Sequence, residues 1–309
     1  MTNQSSSPTD APALAADEFH SGFVAIVGRA NVGKSTLLNA LLGLKLSIVS
    51  AKPHTTRHKL LGVVNGGGFQ AALLDTPGFL RNGRDQLDAA MSRQLTSALG
   101  DADLALLVAE PRMPGDVELQ FIETLTKART PAVLALNKID TVAKKKLLPI
   151  ILRYSELYPF REIVPVSSLD EENLDTLLVQ VAAHLPSQEA IFDKEVLTDR
   201  SVSFICSEII REKVFTLYEH EVPYGVAVGI DDYEEREGPQ PDMIRATVYV
   251  DKQSQKQLLI GKQGQALKEV GTQARVDIEQ MVGRPVYLEL WVKVNTKWRR
   301  KAGFVQGTL

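Results

Sequence analysis

Cysteine is nearly missing from this chain of 309 residues: Cys206 stands alone, so no internal disulfide can form and a bridge-stapled fold is excluded. It sits in the apolar string SFICSEII, where a small buried hydrophobe is expected rather than a reactive thiol. Long apolar runs are missing as well. None reaches the roughly 18 to 20 residues that a bilayer-spanning helix needs, so a soluble protein in a reducing compartment, the cytoplasm, is expected. The opening residues hold no Arg before Arg29 and no compact apolar stretch, and they do not read as a secretory leader. Rich in Ser, Pro, Ala and Asp, residues 1–19 bury too little surface to offset ordering and are expected to form a flexible tail.

A large excess of one charge is also lacking. The net charge of −3 argues against a uniformly basic nucleic-acid coat. Its distribution is uneven, however: residues 241–309 carry 12 Lys plus Arg against 6 Asp plus Glu, a balance of +6, while residues 181–240 carry 5 against 13, a balance of −8. A polyanion would be met by the C-terminal end.

What is present falls into two patterns. The first half alternates short apolar runs with longer helical periods, as a parallel sheet with crossover helices requires. Strands are expected from Phe23, Leu61, Ala71, Leu104, Ala132 and Ile163, and helices over 34–42, 85–99, 116–127 and 173–184. The strands' apolar cores predict cover on both faces. After His184 the period is lost and Pro186 follows, so residues 186–202 are expected to link a domain over 20–185 to a second over 203–298. The second reads as helix 203–219, strands 225–237 and 243–252, a helix pair around 260–264 and strand 286–294, an α+β domain in the order αββααβ. A basic tail, 299–309, follows.

The strongest chemical signal is Gly28-Arg29-Ala30-Asn31-Val32-Gly33-Lys34-Ser35-Thr36, between a buried strand and a helix. This phosphate-loop pattern lets backbone N–H groups wrap an anion at a helix N-terminus, with Lys34 reaching the β- and γ-phosphates and the Ser35 hydroxyl ligating Mg²⁺. Asp75-Thr76-Pro77-Gly78 ends another apolar strand. There Asp75 is placed to hold Mg²⁺ through water and the Gly78 N–H to sense the γ-phosphate. As a bare turn the motif says little; its spacing from the loop makes it informative. Asn137-Lys138-Ile139-Asp140 separates GTP from ATP, because a carboxylate at Asp140 accepts from guanine N1–H and the exocyclic amine, donors that adenine does not offer in that arrangement. In comparable pockets an unpaired buried group rejects the wrong partner by as much as roughly 10⁴-fold. Ser167-Ser168-Leu169, at the end of the last strand, is expected to bring the Ser168 N–H toward the guanine oxygen.

In the second domain, Ile260-Gly261-Lys262-Gln263-Gly264 lies between two helical patterns. A GxxG loop lets the backbone approach a nucleic-acid strand, Lys262 adds a charge for phosphate, and KH domains use this clamp to hold about four nucleotides. Lys252, Lys256, Lys268 and Arg275 are candidates for the same groove, while Trp291, alternating with Leu288, Leu290 and Val292, is expected in the core.

With these residues placed, the chain resembles the Era family of bacterial ribosome-assembly GTPases, of the translation-factor-related class, over about residues 23–298. The strings that carry the likeness are GRANVGKST, HTTRH, DTPGF, NKID, SEIIREK, IGKQG and LELWVKV. The resemblance implies a Ras-like P-loop GTPase domain followed by a type II KH domain, and binding near the 3′ end of small-subunit ribosomal RNA in the service of the small ribosomal subunit. It allows loose association with the cytoplasmic face of the cell membrane, and a monomer is expected. Thr56 of His54-Thr55-Thr56-Arg57 resembles the switch threonine that joins Mg²⁺, with Thr55 the alternative. Asn31 resembles an Asn that helps hold K⁺ against the phosphates.

Two departures stand out: SSL replaces the family's usual SAL, and the ending after Trp298 is more basic. Phe79 occupies the place of the water-orienting Gln of Ras-like enzymes, and an apolar ring cannot orient water. Slow, K⁺-stimulated hydrolysis is therefore expected, with Asn31, Lys34, Thr56 and Gly78 as the catalytic group. Two rivals remain: a GTP-gated scaffold that scarcely hydrolyses, and a peripheral membrane protein. The second lacks a sustained amphipathic basic helix.

Overall fold

The computed structural model describes residues 18–49, 60–76, 98–219 and 222–296, and the chain divides into two units, Met1–Asp199 and Arg200–Leu309. Among the described residues of the first, six strands form one sheet: β1 (His20–Val27), β2 (Leu60–Gly66), β3 (Phe69–Asp75), β4 (Leu104–Ala109), β5 (Ala132–Leu136) and β6 (Ile163–Pro165), ordered β2-β3-β1-β4-β5-β6. All neighbouring pairs are parallel except the β2–β3 hairpin. β4 and β5, LALLVA and AVLAL, contain no polar residue and are buried throughout, as strands covered on both faces must be.

The helices that lie wholly within the described residues are α1 (Lys34–Leu42), α2 (Asp116–Ala128), α3 (Leu147–Leu157) and α4 (Leu174–Ala183). Ala25, Leu107 and Leu134 of the sheet pack with Phe121 and Leu125 of α2 and with Ile150 and Tyr154 of α3. α1 and α4 touch each other and β3. The sequence pattern predicted no helix at α3, because Pro149 interrupts it. Pro149 occupies the third helical position, where its missing N–H would have no intrahelical partner anyway. The expected helix 85–99 lies outside the described residues apart from its end.

Residues 186–199, read from sequence as an aperiodic linker, lie as a strap along the first unit. Gln70 of β3 is fully buried and holds it: its Oε1 accepts from the N–H groups of Ile191 and Phe192, both at 2.8 Å, and its Nε2 donates to the Phe192 carbonyl at 2.8 Å. The Val63 N–H donates to the Leu197 carbonyl, and Phe192 and Val196 join an apolar cluster with Leu61, Val63, Ala72 and Leu74. The strap has no period because it is pinned from outside, residue by residue, rather than by its own ladder.

The second unit runs α5 (Val202–Leu217), β7 (Ala227–Glu234), β8 (Asp242–Val250), α6 (Gln253–Ile260), α7 (Gln265–Val282) and β9 (Val286–Val294), the αββααβ order. Its sheet is ordered β7-β8-β9, with β9 parallel to β8. Trp291 is a correction: it is 54% exposed, whereas its neighbour Val292 is 6% exposed. Strand side chains alternate with period two, so a residue next to the buried Val292 must face outward.

Candidate functional site

Gly33 opens the phosphate loop's exit. Its φ of 97° is left-handed, and a Cβ there would collide with Asn137 Nδ2, so the position requires glycine. α1 then starts at Lys34, which aims its first-turn N–H groups into the loop Gly28–Gly33. Lys34 is 6% exposed, and its ammonium donates to the carbonyls of Gly28 at 3.1 Å and Arg29 at 2.9 Å. Burial holds its pKa down to about 8, against the opposing pull of the Asp75 carboxylate.

Asp75, at the end of β3, is fully buried, which pushes its pKa up; Lys34, hydrogen bonds from Ser47 and Ser35, and the Thr76 backbone oppose the shift. Ser35 Oγ donates to Asp75 Oδ2 at 3.0 Å, and Asp75 Oδ1 is buried with no hydrogen-bond partner among the described residues. Hard oxygen donors around an orphaned carboxylate oxygen, beside an anion-binding helix terminus, fit Mg²⁺. The Thr76 hydroxyl donates to the Ile26 carbonyl at 2.7 Å and ties the motif to β1.

The NKID segment leaves β5 and meets the phosphate loop directly. Asn137 Nδ2 donates to the Val32 carbonyl at 2.9 Å, and Lys138 Nζ donates to the Asn31 carbonyl at 2.6 Å while pairing with Glu110 at 2.8 Å. Asn31 itself has φ 65°. Ser167 Oγ donates to Asp140 Oδ1 at 2.7 Å, which orients the carboxylate.

Two expectations are corrected here. Asp140 is exposed rather than buried, because it lies on a single 3₁₀ turn, Ile139–Thr141, at the rim. The Ser168 N–H, expected to face the base, donates instead to Asn137 Oδ1 at 3.0 Å, as does its hydroxyl at 2.8 Å. Leu169 beside it is 78% exposed. Arg29, Ala30 and Thr36 fall within the loop and the first turn of α1. Thr55, Thr56, Pro77, Gly78 and Phe79 lie outside the described residues.

A residue that the motifs did not flag reaches the same carboxylate, and a second holds it in place. Ser47 Oγ donates to Asp75 Oδ2 at 2.9 Å, and Asn39 of α1 pins the Ser47 backbone. Neither belongs to a recognisable string; the one available signal is a polar residue among the apolar Leu46 and Ile48.

In the second unit the GxxG turn connects α6 to α7. Gly261 has φ 69°, and a Cβ there would lie 2.6 Å from Ala266 Cβ; Gln263 is also left-handed at φ 52°. Ile260 ends α6, and Lys262 and Gln263 are exposed at the tip. A groove of about 480 Å³ runs from Gly264 between α7 and β9, lined by Lys268, Gly271 and Arg275 on one side and Tyr287 and Leu290 on the other. Lys252 and Lys256, on the other side of the turn, do not line it.

Residues 23–138 match the family model of a 50S ribosome-binding GTPase, and residues 221–299 match that of a KH domain. GTPase Era of Geobacter metallireducens is 44% identical over 281 residues, 91% of this chain and 94% of its own. GTPase Era of Vibrio cholerae is 43% identical over 281 residues, 90% and 86% of the two chains. The crystal structure of a variant of Aquifex aeolicus Era bound to GDP·AlF4⁻ superposes with a TM-score of 0.87 at 39% identity, covering 94% of this chain and 99% of that one. Era in complex with MgGDPNP and nucleotides 1506–1542 of 16S ribosomal RNA does so at 0.87 and 38%, covering 94% and 98%. Fold and sites therefore define a P-loop GTPase carrying a C-terminal KH domain. Within that class the chain belongs to the Era family of GTPases.

Proposed function

We propose that this chain is a GTP-hydrolysing switch whose KH unit holds small-subunit ribosomal RNA near its 3′ end and assists maturation of that subunit. The observation that carries the switch is the direct tie between base-reading and phosphate-binding segments, through Asn137 to Val32 and Lys138 to Asn31. The RNA target is supported by the Era complex with 16S ribosomal RNA. The broader family model names the large subunit, but it spans only residues 23–138, and the relatives that match about nine-tenths of the chain weigh more.

In this reading, amides of Gly28–Thr36 wrap the phosphates, and the Lys34 ammonium exchanges its two loop carbonyls for β- and γ-oxygens. Ser35, Asp75 and Thr56 hold Mg²⁺, which when bound neutralises charge on those oxygens. Thr76 and Pro77 shape the turn that presents the Gly78 N–H to the γ-phosphate. Asp140, oriented by Ser167, accepts from guanine, Lys138 and Leu169 flank its slot, and Ser168 acts through Asn137, whose Oδ1 it holds. Asn31 would help hold K⁺, whose charge would offset that developing between the β- and γ-phosphates, while Phe79 leaves the attacking water without a side-chain partner at that position. Turnover is slow alone, and equal rates in KCl and NaCl at matched ionic strength would contradict the K⁺ role.

The GTPase domain spans 20–185 with residues 186–199 of the expected linker, 186–202, packed along it as the strap, and the KH domain spans 203–298, with Ile260–Gly264 and Lys268 gripping the RNA. The protein acts as a cytoplasmic monomer. Among the described residues no helix is long and apolar enough to cross a membrane, and a loose hold on the inner membrane face rests on family resemblance alone.

The test is binding of a labelled 3′-terminal small-subunit RNA fragment. Substituting Gly261→Asp with Gly264→Asp places two carboxylates where phosphates must pass, and is expected to abolish RNA binding while GTP affinity stays within about twofold. Undiminished RNA affinity would refute the KH assignment.

A further inference from the structure

Asp75 Oδ2 receives two hydroxyl protons, one from Ser35 at 3.0 Å and one from Ser47 at 2.9 Å. Ser35 belongs to the phosphate loop; Ser47 does not. It lies in the segment between α1 and the residues that carry Thr55 and Thr56, and it is 2% exposed, between Leu46 at 2% and Ile48 at 3%. Its backbone has no freedom either: Asn39 Oδ1 accepts from the N–H groups of Leu46 at 3.0 Å and Ser47 at 2.8 Å, while Asn39 Nδ2 donates to the Ser47 carbonyl at 2.8 Å. A hydroxyl fixed at both ends in this way sets the rotation of the carboxylate it touches. With Oδ2 held by two donors, Oδ1 is the oxygen left over, buried and without a partner among the described residues.

We propose that Ser47 is a positioning residue for Mg²⁺: it locks the Asp75 carboxylate and, through Asn39, ties the start of the switch segment to α1. The inference rests on the reading of Asp75 as part of the Mg²⁺ site. It assigns to Ser47 a role that differs from that of Ser35. Ser35 offers its own oxygen to the ion, whereas Ser47 acts only through the carboxylate. Loss of the Ser47 hydroxyl lets the carboxylate rotate and leaves a buried anionic oxygen with one donor fewer. A hydrogen bond to a charged group is strong enough to change a coupled binding constant about tenfold.

The experiment measures, on the full-length chain, the affinity of a fluorescent GDP analogue in saturating Mg²⁺ and in EDTA, and takes their ratio as the Mg²⁺ enhancement. Taking the ratio cancels any general weakening of the fold. Ser47→Ala is expected to lower the enhancement about tenfold, and Ser47→Thr, which keeps the hydroxyl, to restore it to within about threefold of the parent. If Ser47→Ala fails to fold, Ser47→Cys keeps the volume with a weaker donor and is expected to lower the ratio in the same direction. An enhancement within twofold of the parent in Ser47→Ala, or in Ser47→Cys where Ser47→Ala does not fold, overturns the proposal. A parent that shows no Mg²⁺ enhancement would overturn the reading of Asp75 itself, which is a distinguishable failure.

Discussion

At the scale of single residues, the nucleotide site is a set of charges held where charge is disfavoured. Lys34 and Asp75 are both buried, and burial shifts each toward its neutral form, the lysine to about 8. The linkage follows with its sign. Lys34 has a lower pKa folded than unfolded, so its burial penalty is fully present below about 8 and is relieved as pH rises from there toward 10.5. Phosphates favour the charged ammonium, so GTP binding near pH 8 draws a proton back onto Lys34. Calorimetry at that pH in two buffers of different ionisation enthalpy is expected to show net proton uptake, with affinity falling at higher pH. The same titration of Lys34→Met is expected to lose the uptake. The motif residues around this lysine were legible in the sequence because a phosphate loop needs fixed residue types at fixed spacing. Ser47 and Asn39 were not, because Ser47 meets Asp75 and Asn39 meets the Ser47 backbone only in space, and no spacing rule records that.

At the scale of elements, Gln70 fixes where the strap lies. A buried amide that serves three backbone groups of residues 191 and 192 cannot be replaced by an apolar side chain without orphaning two N–H groups and a carbonyl. Gln70→Leu is therefore expected to destabilise the first unit by about 2–3 kcal/mol, read from urea unfolding. Protease cleavage within 186–199 should rise in parallel, and RNA affinity of the second unit should be unaffected. Strands with apolar cores and the helix after the phosphate loop were legible because pattern and capping agree: α1 ends on Gly43 in the left-handed conformation, whose N–H satisfies the carbonyls of Ala40 and Asn39. α3 was hidden by Pro149, the strap by its dependence on outside partners, and the facing of Trp291 by a misjudged alternation in β9.

At the scale of the whole molecule, two units divide the chemistry: one chooses a base and grips a triphosphate, the other offers a GxxG turn and a groove with Lys268 and Arg275 at its wall. The charge asymmetry in the sequence anticipated the second, since the net charge of −3 conceals a C-terminal excess of basic residues. The NKID string was legible in the sequence but its geometry was not, because the Asp140 carboxylate stands exposed and is oriented by Ser167 from a distant part of the chain. The most direct test of the account is isothermal calorimetry of the nucleotide-stripped full-length protein in Mg²⁺ with GTP and with ATP, repeated on Asp140→Asn. Measurable GTP binding, ATP binding weaker by at least about 10²-fold, and loss of most GTP affinity in the variant are predicted. Comparable binding of ATP and GTP by the parent protein would contradict it.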